Sequence, residues 1–261
     1  MTASGELRAN LVEVFSAIQG EGAQVGARQI FIRLAGCDLR CHFCDSAHTW
    51  HASASCRIEQ TPGRRNFEAH SNPVSQGQLL AWVMQQAQPH LHDSISLTGG
   101  EPLLQARFLQ AFLPEAITIA QLPVYLETGG HRPQALSRLL PLLDTVGMDI
   151  KLPSTSGERR WHAHQASLQR CHAAGVTAFV KLIVAERTDP DELAQAARLV
   201  ASVDPAIEVF LQPVTPLAEP LPAGELAPPA AEQMLTWQAE LKRTLARVRV
   251  VPQTHKTLGQ L

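Results

Sequence analysis

No apolar run in this sequence is long enough to span a bilayer. The opening MTASGELRAN is polar and carries an acid, where a signal peptide would have an apolar core. Membrane insertion is therefore not expected, and a cytoplasmic location is the default expectation. Charge of one sign is also missing. The net charge is −2 and the pI about 6.6, so nothing in the balance calls for a nucleic-acid or membrane-surface partner. No internal repeat is found beyond an alternation of strands and helices. Cysteine is scarce: there are five, an odd number, and three of them crowd into GCDLRCHFCDS, Gly36 to Ser46. In a reducing compartment such a cluster binds metal more often than it forms disulfides.

What is present is a chain of 261 residues, 45% apolar, enough for one sizeable core. Short β-rich runs (29–36, 94–100, 124–130, 145–152, 177–184, 208–214) alternate with helical patterns near 76–88, 103–121, 132–143, 157–174, 190–203 and 229–245, and RVRVVP forms a last strand. Such alternation predicts a parallel sheet with crossover helices. Each strand ends in a polar or Gly-rich group, and ligands of parallel α/β folds sit at those ends. About six βα units are too few for a closed eight-stranded barrel. The expectation is one α/β domain over 1–261, a partial, open βα barrel of about six parallel strands. Residues 47–75 read as a polar, irregular insertion, and 213–230, with six prolines, as a loop.

Cys37, Cys41 and Cys44 allow three readings: a zinc site completed by His42, His48 or His51, buried structural thiols, or an iron–sulfur cluster. Interleaved Asp and Arg disfavour buried thiols, and spacing leaves zinc and iron–sulfur level. TGGEP at 98–102 ends a strand. Gly99 and Gly100 there permit close approach of a ligand to the backbone, and Glu101 offers a carboxylate to a cationic group. Arg33 stands out in IFIRLAG. Alternation puts Ile30, Ile32 and Leu34 on one face and Phe31, Arg33 and Ala35 on the other. An Arg in an apolar strand needs a partner, either a structural ion pair or an anionic ligand.

Together, the CxxxCxΦC run with Phe43 before its last cysteine, and GGEP after the next strand, resemble the radical S-adenosylmethionine (SAM) superfamily. The resemblance implies that three thiolates hold three irons of a 4Fe-4S cluster and that the fourth iron chelates SAM, which is cleaved to a 5′-deoxyadenosyl radical. Cys56 and Cys171 are then not ligands. FSAIQGEG (15–22), CDSAHTW (44–50) and the tail QTHKTLGQL (253–261) narrow the likeness to the 7-carboxy-7-deazaguanine synthase family of the queuosine pathway, over nearly the whole chain outside the insertions.

That family converts 6-carboxy-5,6,7,8-tetrahydropterin to 7-carboxy-7-deazaguanine with loss of ammonia, using SAM and Mg2+. The implied cofactor contacts are Phe43, Cys44, Asp45, Gly100, Glu101, Asp149, Ile150, Lys151, Gln212, Pro213, Val214 and Thr215. For Lys151 the plainer reading is a solvated surface lysine. Implied substrate contacts are Ile18, Gln19, Gly20, Glu21, Arg33, Thr98, His255 and the terminal Leu261. Ser46 stands where most of the family has Thr and is the implied Mg2+ contact. A one-electron reductant such as flavodoxin and a homodimer are further implications of the resemblance. Two competitors remain: another small radical SAM enzyme, such as an activase of a glycyl radical, which needs neither IQGEG nor QTHK, and a zinc-binding module, which needs no GGEP turn.

Overall fold

In the computed structural model, residues 6–88, 90–219 and 221–260 are described. The strands are β1 (Arg8–Ala9), β2 (Leu11–Ile18), β3 (Arg28–Leu34), β4 (Ser55–Glu59), β5 (Phe67–Ser71), β6 (Val74–Ser75), β7 (Ser94–Gly99), β8 (Val124–Thr128), β9 (Thr145–Asp149), β10 (Thr177–Val184), β11 (Glu208–Pro213) and β12 (Val248–Val250). The helices are α1 (Gln76–Gln86), α2 (Ala106–Ala120), α3 (Pro133–Leu139), α4 (Pro153–Ser156), α5 (Trp161–Ala173), α6 (Pro190–Ala201), α7 (Ala231–Lys242) and α8 (Thr254–Thr257).

Ten strands form one sheet in the order β12-β11-β10-β9-β8-β7-β3-β2-β4-β5. From β3 to β12 every neighbouring pair is parallel. The sheet ends in β12 on one side and β5 on the other, so the barrel is open, as the strand count predicts. The helices start where the sequence supplies caps. Ser75 and Gln78 form a capping box on α1, and Asp189 caps α6 ahead of Pro190, with Asp191 and Glu192 in its first turn. All six predicted helices are shorter than their patterns, and in two of them one end is wound as a 3-10 turn. Residues 102–105 are a 3-10 turn before α2, and Pro141 turns the end of the 132–143 segment into another.

Two regions depart from the sequence reading. Residues 47–75 are not irregular: β4 pairs parallel with β2, and β5 pairs antiparallel with β4, so the segment widens the sheet. β2, which was not among the expected strands, runs antiparallel to β3. At 213–230, β11 ends at Pro213 and no further element precedes α7 among the described residues.

Strand alternation divides the two faces. Ile30, Ile32 and Leu34 of β3, with Val180, Leu182 and Val184 of β10, enter the large core beneath the helices. The opposite, concave face carries Phe31 and Arg33, and Phe179, Lys181 and Ile183. At its base Tyr125, Phe179 and Phe210 form an aromatic plug, with ring centroids 6.0 and 5.3 Å apart. No helix among the described residues is long and apolar enough to cross a membrane.

Candidate active site

Above the plug the concave face opens into a cavity of about 520 Å³, within the range of small-molecule and cofactor sites. The cysteine loop forms one wall. Gly36 leaves β3 at φ +98°, a conformation that favours glycine, and Glu101 N–H bonds its carbonyl at 2.8 Å. A β-carbon on Gly99 would lie 2.1 Å from the Leu34 carbonyl oxygen, and one on Gly100 2.2 Å from that of Gly36 and 3.0 Å from Cys37 Cβ. The two motifs thus interlock. The glycine pair of TGGEP lets the end of β7 lie directly against the cysteine loop.

Cys37, Cys41 and Cys44 are free thiols, and all three line the cavity. Burial pushes the Cys41 thiol up to about 11 and also raises Cys37. Neighbouring thiols add to both, while Lys151 works against the rise at Cys41. Ionising Cys37 and Cys41 therefore carries an electrostatic cost that a bound iron centre would remove. Among the described residues no group of three or more His, Cys, Asp or Glu is set to hold a single ion. A cluster does not require that, since each thiolate takes a different iron. Cys56 and Cys171 are buried in the main core.

Glu101 is 1% exposed, and its carboxylate accepts from Leu103 N–H (3.0 Å), Thr128 Oγ1 (2.9 and 3.0 Å) and Gly129 N–H (2.9 Å). It lines the cavity, and these bonds tie together the ends of β7 and β8. Phe43 packs on the apolar group of Ile183, Ala185, Val214 and Leu226, with the Lys151 ammonium 5.1 Å from its ring centre. Lys151 is buried rather than a solvated surface residue, and bonds Asp149 at 2.7 Å. Gln212 lines the cavity, and its buried Oε1 has no partner among the described residues. An unpaired buried acceptor is costly unless a ligand meets it. Pro213 and Thr215 line the same wall. Ile150 differs: its side chain lies in the main core, and only the flanking Asp149 and Lys151 reach the cavity.

The far end is polar. Glu127 accepts from Thr98 Oγ1 (2.7 Å), Tyr125 Oη (3.0 Å) and Gln19 Nε2 (3.2 Å). Glu21 accepts from Lys181 Nζ (2.5 Å) and Gln253 Nε2 (2.7 Å). Ile18 lines this end too. Arg33 also faces the cavity and donates through Nε to Glu13 at 2.8 Å. Arg33 thus has an ion-pair partner and also borders the cavity. The second oxygen of Glu13 takes Arg57, from the insertion, at 2.5 Å.

The tail closes one side. Thr254 N–H bonds the Gly20 carbonyl at 3.0 Å. A β-carbon at Gly20 would lie 2.1 Å from His255 Nδ1, so the glycine makes room for the tail. Asp45 receives Lys256 at 2.8 Å and Gln253 at 2.9 Å. Burial works against the Asp45 carboxylate, but Lys256 and Gln253 outweigh it and hold it down at about 2. Ser46 Oγ donates to Asp45 at 3.3 Å, and Thr215 Oγ1 donates to Gln253 Oε1 at 2.7 Å. Leu261 lies outside the described residues.

Sequence reasoning passed over Lys181, Gln253, Lys256 and Glu13, and left Glu127 without a role. Lys181 had a signal. It interrupts TAFVKLIV as Arg33 interrupts IFIRLAG, on the face opposite the core.

A profile described as the Radical SAM superfamily matches residues 31–200. The chain is 44% identical over 256 residues to 7-carboxy-7-deazaguanine synthase of Geobacter sulfurreducens, covering 97% of this chain and 98% of that protein. It is 34% identical to the enzyme of the same name from Thermococcus kodakarensis, covering 81% and 86%. Among solved structures, QueE from Escherichia coli superposes with a TM-score of 0.60 at 20% identity over 95% of each chain. A radical SAM methyltransferase from Sphaerobacter thermophilus gives 0.62 at 13% identity, over 92% of this chain and 77% of that one. At such identities the superpositions establish the fold alone. The sequence matches go further: the chain belongs to the 7-carboxy-7-deazaguanine synthase family of the radical SAM superfamily.

Proposed function

We propose that the chain converts 6-carboxy-5,6,7,8-tetrahydropterin to 7-carboxy-7-deazaguanine by ring contraction, a step in queuosine and 7-deazapurine biosynthesis that feeds tRNA modification. The carrying observation is a single cavity lined by three thiols, a set of hydrogen-bonding groups and an arginine. The net change is loss of one ammonia, so the overall reaction consumes no oxidant or reductant. When bound, the 4Fe-4S cluster and SAM supply the hydrogen-atom abstraction that starts it.

The protein's part is binding, orientation and exclusion of water. Cys37, Cys41 and Cys44 hold the cluster. Phe43, Gly100, Asp149, Lys151 and Gln212 to Thr215 shape the SAM end, and Gln212 Oε1 is an acceptor awaiting a donor. Glu101 acts by holding the loop ends. A pterin presents N–H donors beside a carbonyl acceptor, which suits Gln19, Glu21, Thr98 and Glu127. Arg33 takes the substrate carboxylate as it loosens from Glu13. A Mg2+ ion at Ser46 beside that carboxylate suits a hard cation with few protein ligands. The tail covers the substrate through His255. The same reading includes a cytoplasmic homodimer reduced by a flavodoxin-like protein. The test is stoichiometric: each pterin consumed should release one ammonium, with SAM needed only in catalytic amount. SAM consumed one for one would contradict the proposal.

A further inference from the structure

Lys181 lies on the floor of the cavity, its side chain 5% exposed, in a cage drawn from three parts of the fold. Glu21, from the loop after β2, is 2.5 Å from its ammonium, Asp149 of β9 3.2 Å and Glu127 of β8 4.0 Å. Tyr125 stands beside Glu127, Lys151 pairs with the other side of Asp149, and Asp45 adds a more distant negative charge at Glu21. A buried cation among three carboxylates is not a stability device by default, because desolvating each ion costs about what its pairing returns. It does favour the charged form of Glu21 and Asp149, working against the burial that would raise both carboxyls.

We propose that Lys181 is a positioning residue for substrate recognition: it pairs with Glu21 and aims its carboxylate at the donor-rich edge of the pterin, with Glu127 as the neighbouring acceptor. This rests on the functional reading above. The geometry gives each carboxylate a distinct support. Glu127 is held by three neutral donors, Gln19, Thr98 and Tyr125. Glu21 has one cation, Lys181, and one amide, Gln253. Burial alone would push the Glu21 carboxyl up, and Lys181 is the largest influence bringing it down below its ordinary value. Without Lys181, burial, Asp45 and Asp149 would all push the Glu21 carboxyl up, favouring the protonated form and weakening it as an acceptor.

The test uses the reconstituted holoenzyme with SAM under anaerobic conditions, titrated calorimetrically with 6-carboxypterin, which carries the same pyrimidine edge and carboxylate. Wild type should bind with little pH dependence between about 6 and 9, since Glu21 stays ionised there. K181M should bind at least about tenfold more weakly at pH 7 and recover as pH rises and Glu21 ionises. K181R should remain close to wild type, and E21Q should be weak at every pH. If K181M does not accumulate as folded protein, K181M/E21Q removes both charges and should fold yet bind weakly throughout. Wild-type affinity in K181M or in the double variant, or a K181M defect that pH does not relieve, would overturn the proposal. A wild-type protein that binds SAM but no pterin would bring down the functional reading and this inference with it.

Discussion

Cys41 is the most buried of the three clustered thiols, at 8% exposure. Its side chain lines the cavity and belongs to none of the apolar core clusters, so the fold should tolerate replacement by Ala while the cluster is lost. The expected result is an anaerobic protein without the wild-type visible absorbance or iron content, with no SAM cleavage and an unchanged far-ultraviolet circular dichroism spectrum. Iron retained with activity would refute the ligand assignment. Arg33→Ala should act differently. Losing a charge-assisted contact costs about 1.5–3 kcal/mol, so kcat/KM should fall roughly 10- to 150-fold, with SAM cleavage in the absence of substrate preserved. The alternation of IFIRLAG was enough to place Arg33 on the concave face. It could not name Glu13 as partner, because that pairing depends on β2 lying antiparallel beside β3, which no local pattern encodes. Lys181 was legible by the same rule, but its three carboxylates come from parts of the fold that only tertiary pairing brings together.

Among the elements, the tail is the one whose role exceeds its size. Residues 253–256 bond Gly20, Glu21, Asp45 and Thr215, and Arg65 of the insertion bonds the Gly259 carbonyl at 3.1 Å. Deleting 253–261 should leave iron binding intact and lower turnover by at least about tenfold, since several charge-assisted contacts go at once. Lys256→Ala should show a smaller loss. The wild-type contribution of Lys256 should weaken at high ionic strength, because its pair with Asp45 is about one-third exposed and therefore screened. Turnover measured against salt for both proteins checks this. The motif QTHK pointed to the tail. The insertion was harder to read. SCRIE does alternate, with Cys56 and Ile58 buried, but the polar, Gly- and Ser-containing flanks masked it. Its strands exist because β2 leaves an edge for β4 to pair with.

At the scale of the whole molecule, strand–helix alternation was sufficient to predict the parallel sheet, its openness and the gathering of chemistry at the strand ends. The antiparallel extension was not, since it joins segments through pairing rather than through a local period. Two buried histidines set an acid limit on the fold. Burial and Arg28 hold His92 down at about 4, where it shares a 2.7 Å hydrogen bond with Ser16. Burial and Lys151 hold His164 down at about 3, where its Nε2–H donates to the Gly129 carbonyl at 3.1 Å. Both are neutral when folded and take up a proton near pH 6.5 when unfolded. The stability they contribute is therefore complete above about pH 6.5 and is lost as pH falls toward 4 and then 3. The slope is on the order of 1 kcal/mol per pH unit for each ring. Urea titrations from pH 7.5 to 4 should show a falling midpoint, and His92→Gln should flatten part of it.

The most direct measurement is the mass of the product formed when the reconstituted protein is incubated anaerobically with dithionite, SAM, Mg2+ and 6-carboxy-5,6,7,8-tetrahydropterin. A SAM-dependent product lighter than the substrate by one ammonia, with the mass of 7-carboxy-7-deazaguanine, is the result predicted here. Cleavage of SAM to 5′-deoxyadenosine with the pterin recovered unchanged would contradict it.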